Sequence, residues 1–168
     1  KDFTEIFKIM NGLPVTVRLL DPPLHEFLPR TNKEISELAE IVKLSVKEVE
    51  TRIEELHEQN PMLGHRGCRL SRSCPEIYEM QCRAIFEALS ELTKNKINSA
   101  FPEIMIPLVS TETEIKIMKD LVNRIASMVQ KENKIKIEFL VGTMIELPRA
   151  AIKAKDIAKH AEDFSFGT

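Results

Sequence analysis

Hydrophobic positions along the chain switch between two periods. The first apolar run, Val15-Thr16-Val17-Arg18-Leu19-Leu20, follows Asn11-Gly12 and stops at Asp21-Pro22-Pro23, so it predicts a strand that opens into a loop. Apolar residues then recur at helical spacing from Asn32 to about Lys43 and from Ser45 to about Glu58, with Ser45 and Glu48 forming an S-x-x-E capping box. The stretch from Asn60 to Leu70 has no clear period and reads as a loop around a short strand. Pro75 suits the first position of a helix, and Glu76 to Lys94 carries the stripe Ile77, Met80, Ala84, Ala88 and Leu92. A compact apolar run from Glu103 to Val109 predicts a second strand. A capping box at Thr111 and Glu114 then opens a helix to about Lys131. Ile135 to Ile145 alternates before becoming continuously apolar, as a strand buried on both faces does, and Glu146-Leu147-Pro148 opens a helix to about His160. Phe164 to Phe166 begins another strand.

Strands that alternate with helices across connections of this length must run parallel. A doubly wound sheet and a barrel both satisfy that rule. The barrel is favoured because polar residues cluster where strands end: Arg18 and Asp21, then Arg66, then Glu146, then Gly167 and Thr168. In a barrel such positions converge on one rim. A full (β/α)8 TIM barrel needs about 250 residues, so this chain predicts a partial barrel of about five of eight strands. We read residues 1–168 as part of a single domain cut at both ends, since the chain begins without Met and stops just past an apolar run. The two outer strands of such an arc lack neighbours, which predicts self-association into a homo-oligomer.

Composition changes this picture little. The 168 residues are 43% hydrophobic and 30% charged, which suits a folded globular domain. The net charge of −2 gives no general reason to expect nucleic acid or an acidic membrane as partner, so any anion site must be built locally. Cys68, Cys74 and Cys82 are odd in number and lack C-x-x-C spacing, which fits reduced thiols of a cytoplasmic protein. No apolar run reaches the roughly 18 residues that span a bilayer.

Three arginines are candidates for binding phosphate or carboxylate, because a guanidinium donates two parallel hydrogen bonds and is always charged. Arg18 lies inside an apolar strand, where an unpaired charge is costly. Arg66 stands between Gly64 and Gly67, whose missing side chains would let a ligand approach the backbone. Arg69 follows in the same loop. Each could instead pair with a surface carboxylate. Glu146, at a strand end before Pro148, suits either the dipole of the next helix or a magnesium ion, which one or two carboxylates hold together with substrate oxygens and water. His25, His57, His65 and His160 show no metal spacing. His65 adjoins Arg66 and could donate to an oxyanion, although a structural role is the simpler reading. Nothing near Cys68 argues for a reactive thiolate.

Four segments carry a resemblance: Val17 to Pro29, Asn60 to Leu70, Pro102 to Leu108, and Gly142 to Arg149. Their wording, above all Asp-Pro-Pro-Leu-His-Glu-Phe and Gly-His-Arg-Gly-Cys-Arg, resembles the phosphoenolpyruvate-utilising enzymes, and among them the pyruvate phosphate dikinases, over essentially the whole chain. The resemblance implies a magnesium-dependent phosphotransferase that interconverts ATP, phosphate and pyruvate with AMP, diphosphate and phosphoenolpyruvate. It does so through a phosphohistidine domain of the same parent chain. It implies that Arg18 and Arg66 contact the transferring phosphoryl group and that Glu146 binds Mg2+. Gly167 and Thr168 would begin a substrate loop whose next two residues, Asn and a metal-binding Asp, are not in this sequence. Asp21, Arg69 and His65 are secondary candidates. The 168 residues would then be the phosphoenolpyruvate- and pyruvate-binding part of such an enzyme and would show no turnover alone. Phosphoenolpyruvate synthase, which uses water as second acceptor, and a non-catalytic interaction module are the alternatives.

Overall fold

The computed structural model describes residues 1–57, 60–97 and 99–167, and for His25 the backbone only. Thr168 therefore lies outside the described residues. The chain forms two compact units, residues 1–21 with 67 onward, and residues 22–66.

The first unit opens with helix α1 (Asp2–Ile9), whose buried Phe7 accepts a backbone hydrogen bond from Ala100. Strand β1 (Pro14–Arg18) follows, and the chain then leaves for the second unit. That unit contains α2 (Leu24–Phe27), α3 (Asn32–Val42), α4 (Val46–Leu56) and a 3-10 turn at Pro61–Leu63. Back in the first unit come α5 (Gly67–Ser73), α6 (Pro75–Lys94), β2 (Phe101–Ile106), α7 (Glu112–Asn133), β3 (Leu140–Ile145), α8 (Pro148–Ile152), α9 (Ala154–Ile157) and β4 (Phe164–Phe166).

The four strands stand in the order β1-β2-β3-β4, every pair parallel. Chain order and spatial order agree, so there is no point at which the winding reverses. A doubly wound sheet requires such a reversal and a barrel forbids it, which resolves the choice in favour of a curled partial barrel. The count is four strands among the described residues, one fewer than expected. The short strand expected within residues 60–70 is instead the 3-10 turn and the start of α5. Two glycines there hide the helical period: Gly64 ends the turn, and Gly67, at φ +54°, begins the helix.

Strand pairing sets Thr16 opposite Glu103, Arg18 opposite Met105, and Met105 opposite Gly142, so these share one face of the sheet. The other face carries Ile104, Ile106, Val141 and Thr143, all fully buried. The Thr143 hydroxyl donates to Ile106 O (2.8 Å), which satisfies a polar group in that apolar layer. Gly142 is needed where β3 meets the turn before β4, since a Cβ there would lie 2.5 Å from Asp163 O. Helices α6 and α7 are tied on their outer side by Arg83 to Glu132 and Arg124 to Glu79.

Three further expectations shift. The strand expected from Ile135 is regular only from Leu140, and the helix after Pro148 breaks at Lys153 into α8 and α9. The stripe of α6 is out of phase in its first half. Ile77 and Met80 are exposed, while Tyr78, Gln81, Cys82, Ile85 and Leu89 are buried. Among the described residues no helix is long and apolar enough to cross a membrane.

Candidate substrate and metal site

Arg18 ends β1 with its side chain half exposed, and its Nη1 lies 3.7 Å from Asp21 Oδ2. Asp21 is almost wholly buried, so its carboxylate is part of the strand's exit rather than a solvent-facing ligand. Gly67 comes close to it: a Cβ on Gly67 would meet Asp21 Oδ1 at 3.2 Å and the Leu108 side chain at 3.1 Å. The space that the sequence suggested for a ligand beside Gly67 is therefore filled by Leu108 and Asp21.

The end of β2 supports Glu146. The backbone turns sharply at Leu108, a buried non-glycine residue at φ +59°. Such a conformation costs about 1 kcal/mol or more and persists where neighbours fix it. Here the Leu108 N–H donates to Glu146 Oε1 (2.8 Å), and the Leu108 carbonyl accepts from the Cys68 thiol (3.1 Å). Pro107 O accepts from Cys68 N (3.3 Å). One carboxylate oxygen of Glu146 is thereby pinned to the tip of the neighbouring strand. Burial pushes the Cys68 thiol up to about 12, so this cysteine is a hydrogen-bonding wedge and not a nucleophile. All three cysteines are free.

Gly167 continues from β4, its N–H donating to Ile145 O (3.4 Å) at the end of β3. Thr168, the next expected contact, lies outside the described residues. Arg69 sits in the first turn of α5 and is partly buried.

Arg66 and His65 belong to the second unit. They follow the 3-10 turn, and among the described residues no strand leads into them, so Arg66 is not a strand-end residue as the sequence suggested. With Leu24, Glu55, Leu56, Pro61 and Gly64 they line a hollow of about 30 Å³. His65 is exposed, and Arg66 partly so. His160 pairs with Glu112 (3.0 Å) at the start of α7, away from these strand ends in the chain.

A carboxylate set for a metal is incomplete among the described residues, where no group of three His, Cys, Asp or Glu side chains converges. Glu146 fits magnesium in a narrower sense, with one oxygen held by a backbone N–H and a strand-end position of the type that contributes one carboxylate.

Tyr78 and Gln81 were missed by sequence reasoning. Gln81 Nε2 donates to Arg18 O (3.3 Å) and its Oε1 accepts from Leu20 N (2.8 Å). The Tyr78 hydroxyl lies 2.7 Å from Leu20 O and 2.8 Å from Gly67 O, and its single proton is shared between these two acceptors. A signal existed, because Tyr78, Cys82, Ile85, Leu89 and Leu92 form a second helical stripe. The turn at Leu108 left no sequence signal.

A parallel sheet wound without reversal, with an arginine and a carboxylate at the carboxyl ends of its strands, defines a barrel-type α/β domain with a polar rim. All of the chain, residues 1–168, matches the family described as PEP-utilising enzyme, PEP-binding domain, and the chain belongs to that family. It is 54% identical to a pyruvate, phosphate dikinase of Rhizobium meliloti (strain 1021) and 51% identical to one of Clostridium symbiosum, each over 99% of this chain and 19% of the relative. It is 53% identical to pyruvate, phosphate dikinase 1, chloroplastic, of Arabidopsis thaliana, over 99% of this chain and 17% of that protein. The chain thus spans about one fifth of the length of these relatives.

Proposed function

We propose that this chain is the phosphoenolpyruvate- and pyruvate-binding part of a pyruvate phosphate dikinase and forms part of one barrel domain. The parent enzyme would interconvert ATP, phosphate and pyruvate with AMP, diphosphate and phosphoenolpyruvate, through a phosphohistidine on another domain of the same chain. The observation that carries this reading is identity of about half to relatives of that name across nearly the whole chain.

Arg18 and Arg66 then neutralise and orient the phosphoryl group. Phosphoryl transfer through a loose transition state asks mainly for position and charge stabilisation, which a guanidinium supplies. Gly167 and Thr168 contribute to the substrate loop. Glu146 would hold magnesium through the oxygen that Leu108 leaves uncommitted, together with ligands outside this sequence. Such an ion would neutralise phosphoryl charge and stabilise a developing enolate. Asp21 would give Arg18 only a long ion pair, at 3.7 Å, while Arg69 and His65 would contribute positive charge or donors nearby in the chain. We further propose a cytoplasmic location and a homo-oligomeric state.

Assay of the gene's full-length product for phosphoenolpyruvate formation from pyruvate and ATP, with and without phosphate, tests this directly. Phosphate-dependent formation is expected. Formation that ignores phosphate would indicate water as second acceptor, and none under any condition would indicate a binding module. The isolated 168 residues are expected to show no turnover.

A further inference from the structure

We propose that Gln81 and Tyr78, one turn apart on α6, are positioning residues that hold the backbone of Arg18 in register for substrate. This rests on the reading of Arg18 given above. Leu19 still belongs to the ladder, since its N–H donates to Met105 O (2.9 Å) on β2. In a strand, the polar groups of the flanking residues point the other way, so Arg18 O and Leu20 N face the edge of β1 where no strand pairs among the described residues. Leu19 and Tyr78 are fully buried, and backbone groups left unpaired beside them would be costly.

The Gln81 carboxamide meets both. It donates to residue 18 and accepts from residue 20, which is what a residue of a parallel neighbouring strand does opposite position 19. One side chain thus extends the ladder past the end of the strand. Tyr78 adds the next contact, its single hydroxyl proton shared between Leu20 O and Gly67 O, the carbonyl of the residue that follows Arg66 in the chain. Both side chains are buried, Tyr78 completely.

Why this bears on substrate follows from Arg18 itself. Its guanidinium is half exposed and its ion pair to Asp21 is long, at 3.7 Å, so its own partner does not lock it. The aim of the guanidinium therefore depends on a fixed Cα. Misplacement of a binding group by about 1 Å costs on the order of a hundredfold in rate, and smaller shifts cost less. Because Arg18 is assigned to the phosphoryl group, loosening it should weaken phosphoenolpyruvate and leave pyruvate, which has no phosphoryl group, largely unaffected.

The test uses Gln81→Met, which keeps length and loses both hydrogen bonds, and Tyr78→Phe, which loses only the hydroxyl. Both are made in the full-length product, with Arg18→Gln in parallel. Each folded variant should raise KM for phosphoenolpyruvate by about tenfold while KM for pyruvate changes less than about twofold. If Gln81→Met does not fold, Tyr78→Phe alone decides. Unchanged KM for phosphoenolpyruvate, or an equal rise for both substrates, overturns the proposal. If Arg18→Gln itself leaves phosphoenolpyruvate unaffected, the reading of Arg18 fails, and the positioning role fails with it. If Arg18→Gln alone is impaired, only the positioning role fails.

Discussion

Glu146 is useful to a cation only if its carboxylate stays where the strand end puts it, and one hydrogen bond from Leu108 N does that. Gln in its place would still accept that bond but would lose the charge. Glu146→Gln in the full-length product should therefore weaken Mn2+ binding, read by titration, by at least about tenfold with an unchanged far-ultraviolet spectrum. Unchanged Mn2+ affinity would remove Glu146 from the metal site. Gly67 is constrained from two directions, by its left-handed φ and by Leu108 and Asp21 against its α-carbon. Gly67→Ala should cost about 2–3 kcal/mol in urea unfolding. At this scale the sequence identified Arg18 and Glu146 because charge at the end of an apolar run is conspicuous. It did not reveal Leu108, because a leucine before a left-handed turn looks like any other leucine. Which space Gly67 leaves open also depends on residues 41 and 46 positions away, beyond any local pattern.

The helices of the second unit owe much to their first turns. Thr31 and Glu34 form a reciprocal capping box on α3, and Ser45 and Glu48 another on α4. Backbone hydrogen bonds from Arg30 and Thr31 hold Glu34 below the usual carboxylate range, and the Ser45 hydroxyl does the same for Glu48. A depressed carboxylate contributes stability that is complete above its ordinary value of 4.5 and is lost as pH falls through the folded value. Acidification below about 4.5 should thus fray α3 and α4. Glu34→Gln with Glu48→Gln should flatten that acid limb, followed by helical circular dichroism. The boxes at Ser45 and Thr111 were legible because capping is local chemistry, whereas α3 was legible from its apolar spacing and its box at Thr31 was not. α6 was legible as a helix but not in phase. The apolar residues Ile77 and Met80 lie outside, and the polar Gln81 turns inward, because the end of β1 presents backbone groups that an apolar side chain cannot satisfy. Where a polar partner is supplied by another part of the chain, hydrophobic periodicity points to the wrong face.

For the whole molecule, parallel strands followed from the strand and helix alternation and the partial barrel from the polar residues at the strand ends, and the observed strand order agrees with both. The division into two units was not legible. Residues 22–66 carry their own periodic helices and run into the next segment without a Gly- or Ser-rich linker. The Tyr78 hydroxyl lies within hydrogen-bond distance of Leu20 O, one residue before the chain leaves for that insertion, and of Gly67 O, where it comes back. In engineering terms the insertion is then a cassette with adjoining sockets. Replacing residues 22–66 by a few Gly and Ser residues should leave a cooperatively unfolding sheet unit, seen as a single urea transition with retained amide protection in β2 and β3. Loss of that transition would show that the insertion is needed for folding. Lineages could in the same way lengthen, shorten or exchange this segment while inheriting the strand ends unchanged, so the hydroxyl of one tyrosine would be what makes the domain tolerant of grafts.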